Sequence, residues 1–224
     1  MRTKFCANAW QVALSCGLAA GALLACPLVR GAPPKSTAPS SAAAAAPEPP
    51  AGYTRFKADS YSLDHPTAWT YQKTEQGGRV NHMFQGEPDQ NAMPYCMSSQ
   101  QKPAPGAPGN KMSRKERIDY FMKNSDEDLL FRSLNTLASA QAFRLVHMQA
   151  STVGTEMPGF MADFFFRVPQ GFVYRVRVHY TFWRSGVFLL WCAAAAKNER
   201  DADSGFLRNL AAFQTVATSV RIRE

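Results

Sequence analysis

The chain has 224 residues and a formal charge of +8, with 46% apolar and 12% aromatic residues. That is enough apolar material for a full core and excludes a chain too polar to collapse. From Tyr53 onward 21 Lys and Arg stand against 16 Asp and Glu, a mild surplus that serves solubility and favours anionic partners.

The first element in chain order is a leader. Arg2 and Lys4 form a short basic start, no further charge follows until Arg30, and Phe5 to Ala25 is rich in Ala, Gly and Leu. This is the pattern of an export signal, here residues 1–25. It closes on Leu23-Leu24-Ala25-Cys26, which resembles the lipobox of bacterial lipoproteins. The resemblance implies cleavage before Cys26 and a lipid on its sulfur, although Leu24 and Pro27 depart from the usual pattern. Two alternatives stand beside it: cleavage after Gly31, with Val29 and Gly31 as the recognised residues, or an uncleaved anchor of about bilayer length. An exported address leaves little room for nucleic acid as a partner. With no Asp after Cys26, the expected location is the cell envelope, on the periplasmic side of the outer membrane rather than the inner.

Residues 26–52 read as a tether. Prolines recur through them, with a five-alanine block at Ala42 to Ala46, and proline-rich chain stays extended without secondary structure. Residues 53–224 then form one globular domain. It holds fourteen of the fifteen phenylalanines and three of the four tryptophans.

Within the domain, Tyr53 to Lys57 and Asp59 to Leu63 are short strands followed by a turn at His65-Pro66. Trp69 to Thr74 and Arg79 to Phe84 flank Gly77-Gly78 and read as a hairpin. Gly86 to Asn91 is a loop, Pro94 to Gln101 a strand carrying Cys96, and Lys102 to Asn110 a long loop. Ser113 and Glu116 have capping-box spacing ahead of an apolar stripe at Ile118, Phe121 and Met122. A second helix starts at Ser125 with Leu129, Leu130, Leu134 and Leu137 inward, its acids placed at the positive end of the dipole.

The pattern turns to strand from Ala142. Phe160 to Val168 alternates, with Phe160, Phe164, Phe166 and Val168 on one face and Asp163 and Arg167 on the other. Phe172 to Trp183 continues after a Pro169-Gln170-Gly171 turn: Tyr174, Val176, Val178, Tyr180 and Phe182 face one way, Arg175, Arg177 and His179 the other. Val187 to Ala196 is apolar on both faces, the mark of a covered central strand. Short turns between these strands predict an antiparallel meander. A last helix spans Asp203 to Thr218, with Phe206, Leu207, Leu210 and Phe213 inward, and Val220 to Arg223 leaves as a strand or tail.

Two stretches carry a family resemblance. Tyr61-Ser62-Leu63-Asp64-His65-Pro66-Thr67-Ala68-Trp69 resembles the strand, turn and Pro-x-x-Trp opening of PsbP-like domains, a group that includes photosystem PsbP proteins, a yeast Ran-binding import factor and DcrB-type envelope proteins. The helix with Phe206 and Phe213, followed by Thr218-Ser219-Val220-Arg221, is similar to their close, with Val220 where an aromatic is usual. The resemblance implies an α+β fold, an antiparallel sheet flanked by helices in an α/β/α sandwich, mostly without enzymatic activity.

Only Cys96 and Cys192 lie in the domain. In an oxidising compartment they are expected to form one disulfide, the alternative being two buried thiols. No nucleophile elbow, phosphate-binding glycine loop or metal helix occurs, and His65, His82, His147 and His179 lack metal-ligand spacing. No cofactor and no metal site are expected. The best candidate surface is the polar face of the sheet, where Arg167, Arg175, Arg177 and His179 gather near Asp163. It reads either as an anion or acidic-partner site, or as an ion-paired face under a helix or ordinary alternation in a half-solvated sheet. The function expected is a lipid-anchored, non-catalytic binding or accessory domain, engaging an envelope protein or the cell-wall surface. The alternatives are an exported hydrolase with dispersed site residues and a small-ligand or metal carrier.

Overall fold

The computed structural model describes residues 47–76, 79–101, 111–124, 140–154, 157–183 and 186–223. The leader with Cys26, most of the tether, the loop at 102–110 and the helix expected from Ser125 lie outside the described residues.

The strands are β1 (Tyr53–Lys57), β2 (Tyr61–Pro66), β3 (Thr70–Gln76), β4 (Arg79–Gln85), β5 (Ala92–Gln101), β6 (Ala142–Val153), β7 (Met157–Arg167), β8 (Val173–Trp183), β9 (Gly186–Ala196) and β10 (Arg221–Ile222). The helices are α1 (Arg114–Asn124), α2 (Glu199–Arg208) and α3 (Leu210–Thr218). The strands form two sheets, a seven-stranded one in the order β3-β4-β5-β9-β8-β7-β6 and a three-stranded one in the order β1-β2-β10. Every pairing is antiparallel. The fold class is therefore α+β, a large antiparallel sheet with few helices.

The expected three-stranded meander is β7-β8-β9, to which β6 adds a fourth strand at the edge, and β9, apolar on both faces, is the middle strand of the large sheet. Its neighbour β5 stands more than eighty residues earlier in the chain and places Cys96 directly opposite Cys192. The two are bonded, with Cα atoms 4.1 Å apart, and both are buried.

Alternation assigns each side chain of β8 to one of two cores. Tyr174, Val176 and Val178 join Phe164, Phe166 and Trp191 on one face, where α1 packs on β7 and β8. Val173 joins Phe165, Leu190, Cys192, Phe206 and Phe213 on the other, under α2, α3 and the small sheet. Helices thus lie on both faces of the large sheet, as the sandwich expectation required.

Local signals explain the helix starts. The Ser113 N–H donates to Glu116 Oε2 at 2.7 Å and the Glu116 N–H to Ser113 Oγ at 3.3 Å, a complete capping box for α1. The Asn198 Oδ1 accepts from the Asp201 N–H at 2.9 Å and caps α2. The turn at 169–171 needs a left-handed residue, and Gly171 supplies it with φ +79°.

The last helix differs from expectation. It starts at Glu199 and divides at Asn209 into α2 and α3, where the Asn209 Nδ2 donates to the Gly205 carbonyl at 2.9 Å. Such side-chain competition for backbone groups ends a helix. Phe206 and Phe213 are buried as expected, but Leu207 is 56% exposed, because α2 seats Ala202, Gly205 and Phe206 on the sheet instead. A Cβ at Gly205 would stand 2.3 Å from the Cβ of Ala92. The missing side chain is what lets α2 approach β5 so closely.

Candidate functional site

The polar cluster is built across β7, β8 and α2. Register places Asp163 opposite Arg177 and Phe165 opposite Arg175. Arg177 donates from Nε and Nη2 to the two oxygens of Asp163, both at 2.8 Å. Arg175 donates from Nη2 to Asp163 at 3.4 Å and from Nε to Asp203 of α2 at 3.2 Å. Its guanidinium lies 4.9 Å from the ring centres of both Phe165 and Phe206, so apolar burial and cation–π attraction act together.

These contacts hold α2 onto the sheet. Arg175 is 7% exposed and Asp163 5%, and two guanidinia share one buried carboxylate. The hydrogen bonds that Arg177 donates to Asp163 raise its pKa above the usual value. His179 sits one alternation further along β8 and is buried as well. Desolvation first, then the Arg177 charge, push its imidazole down to about 4, with Asp163 opposing. Its Nδ1 has no hydrogen-bond partner among the described residues. The neutral ring is the form this site accommodates.

The four residues singled out in the sequence do not form one open face. Arg175 and Arg177 come together under α2, His179 is buried further along β8, and Arg167 lies exposed at the end of β7. The arrangement matches the ion-paired face beneath a helix. The remaining histidines are dispersed: His65 stacks on Phe84 with ring centres 4.5 Å apart, His82 Nδ1 meets the Tyr71 hydroxyl at 2.9 Å, and His147 is exposed. No group of three or more His, Cys, Asp or Glu that could hold a metal occurs among the described residues.

Beside the cluster runs a shallow open groove between β6–β7 and the first turn of α2, lined by Arg144, Val146, Phe165, Arg175, Glu199, Arg200 and Asp203. Arg144 stacks 4.5 Å from the Phe165 ring centre, on which Arg175 also stacks, and pairs with Glu199. Sequence reasoning missed Arg144, Arg200, Glu199 and Asp203. Only the spacing of Glu199 and Asp203, four apart on one helix face, was available as a signal. Their opposition to the arginines depends on where α2 lands.

Fold and site together define an α+β domain whose charged side chains fasten a helix to an antiparallel sheet and leave a basic groove at its edge. No family model and no curated protein matches the sequence. Its fold is similar to solved PsbP-like structures. The PsbP of the cyanobacterium Synechocystis (CyanoP) is 15% identical, with 77% of this chain and 93% of that chain covered and a TM-score of 0.46. The Ran-binding protein Mog1p of Saccharomyces cerevisiae is 7% identical over 76% of this chain and 95% of that one, at 0.44. LpqN, involved in cell envelope biogenesis of Mycobacterium tuberculosis, is 13% identical over 77% and 91%, at 0.41.

Proposed function

We propose that this is an exported, lipid-anchored envelope protein whose C-terminal domain is a non-catalytic binding or accessory module. The observation that carries the address is the buried Cys96–Cys192 disulfide, since structural disulfides persist in oxidising compartments. It agrees with the basic, apolar and lipobox-like order of the first 26 residues. Cys26 is the lipidated residue, and the absence of an acidic residue directly after it favours the outer membrane. The non-catalytic reading is supported by the polar cluster itself, whose arginines and aspartates are committed to one another and to holding α2. The partner is an envelope protein rather than nucleic acid.

Metabolic labelling with radioactive palmitate tests the anchor. Label is expected in the wild-type chain and not in Cys26→Ser, and fractionation is expected to find the wild type in outer-membrane vesicles. Equal labelling of both chains, or recovery of the unlabelled wild type from the cytosol, would refute it.

A further inference from the structure

We propose that the groove between β6–β7 and the first turn of α2 is the partner-binding site, and that it takes a glutamate- or aspartate-rich segment of another protein. The inference rests on the reading of the domain as a binding module, though not on its lipid anchor.

Three features of the groove support it. First, its charge is not balanced: Arg144, Arg175 and Arg200 face Glu199 and Asp203. Arg200 is exposed and makes no ion pair or hydrogen bond among the described residues. Second, Arg175 is 7% exposed, yet its Nη1 has no hydrogen-bond partner among the described residues. That atom is enclosed, so Arg175 adds the field of its positive charge to the groove rather than a direct contact with the arriving carboxylate. Third, the acid facing Arg144 is loosely held. The side chains of Arg144 and Glu199 are 55% and 52% exposed, and exposed ion pairs contribute little. An incoming carboxylate can exchange with Glu199 at small cost.

The shape of the groove selects a side chain over a bare anion. Phe165 lies between the Arg144 and Arg175 guanidinia, and Val146 beside it is 46% exposed. A glutamate laid along this wall places its methylenes against Val146 and Phe165 while its carboxylate meets Arg144 and Arg200. A phosphate gains nothing from the apolar wall. The open form of the groove admits an extended chain passing across it rather than an enclosed small molecule.

Titration calorimetry of the full chain in neutral detergent, with acetyl-hexaglutamate-amide as the probe, tests the assignment. Arg200→Ala and Arg144→Ala are each expected to weaken binding by about tenfold, the effect of losing one charge-assisted contact. Both side chains are exposed, so melting temperatures should stay at the wild-type value. Glu199→Gln is the decisive variant: removing the competing carboxylate is expected to tighten binding several-fold, more than Glu87→Gln does at an exposed acid outside the groove. Absence of binding, unchanged affinity in all three variants, or weakening in Glu199→Gln would overturn the inference. So would inorganic phosphate displacing the peptide at equal concentration, or vesicles of anionic lipid binding with the same variant pattern. A negative titration beside positive palmitate labelling would refute the groove and leave the envelope reading intact.

Discussion

Arg177 and Asp163 stand directly opposite one another on β8 and β7, joined by two hydrogen bonds of 2.8 Å. The pair is the inner end of a chain of contacts that passes through Arg175 to Asp203 on α2. An arrangement that reads along the strand as a basic binding stripe is, in three dimensions, the seam between sheet and helix.

Removal of the shared carboxylate should therefore be severe. Asp163→Ala leaves two guanidinia without their buried partner, and loss of one member of such a set typically costs about 3–5 kcal/mol. Urea unfolding should show that loss, with Arg175→Ala plus Arg177→Ala behaving in the same direction. Wild-type stability in both variants would return these side chains to the open surface.

The disulfide closes a loop with a sequence separation of 96 residues. The chain-entropy account values a cross-link over such a loop at about 4–5 kcal/mol, and measured gains are often smaller. Cys96→Ala with Cys192→Ala should lower the melting temperature and leave the strand content unchanged by circular dichroism. Two alkylatable thiols in the unreduced wild-type chain would contradict the bond.

His179 gives the domain a defined sensitivity to acid. Its folded pKa is about 4, against about 6.5 for an unfolded histidine. Between those values the unfolded chain binds the extra proton, so stability falls as pH drops from about 6.5 to about 4, and this contribution levels off below that. The effect amounts to at most about 3 kcal/mol. At pH 7 the ring is neutral in both states and contributes no such term. Urea midpoints at pH 7 and pH 4.5 should differ more for the wild type than for His179→Gln. Equal differences would show that the ring is not held neutral.

The two faces of α2 should respond unequally to substitution. Gly205→Val introduces a side chain where a Cβ already lies 2.3 Å from Ala92, and overpacking of this kind costs about 1–3 kcal/mol. That exceeds the gain of roughly 0.3 to 0.4 kcal/mol expected when valine replaces glycine in a helix interior. Leu207→Lys, on the exposed side, should change stability by less than about 0.5 kcal/mol. Thermal melts of the two variants check both magnitudes.

Much of the fold was legible because local rules act over short distances. Alternation identified the two faces of β7 and β8, short turns joined them into the meander, and the Ser113–Glu116 capping box marked the start of α1. The candidate site was legible only in its members from β8 and in Asp163. Alternation states which side chains share a face, yet nothing in a strand's own sequence tells whether water or a helix covers that face. The same limit hid the division at Asn209, where a helix-compatible pattern continues but the asparagine amide takes the Gly205 carbonyl.

The sequence by itself determined the alternating strands and the capping box, and it carries the basic, apolar and proline-rich order of its first 52 residues, since each depends on residues close together in the chain. Tertiary structure alone decided that β5 lies beside β9, that β10 returns to β2 across about 160 residues of chain, and that Asp203 lands on Arg175. Those pairings bring together groups distant in the chain, and they are selected by the joint burial of both cores rather than by any one segment's pattern. The same selection buried Arg175, half-buried Arg177 and left Arg144 and Arg200 at the edge of the groove.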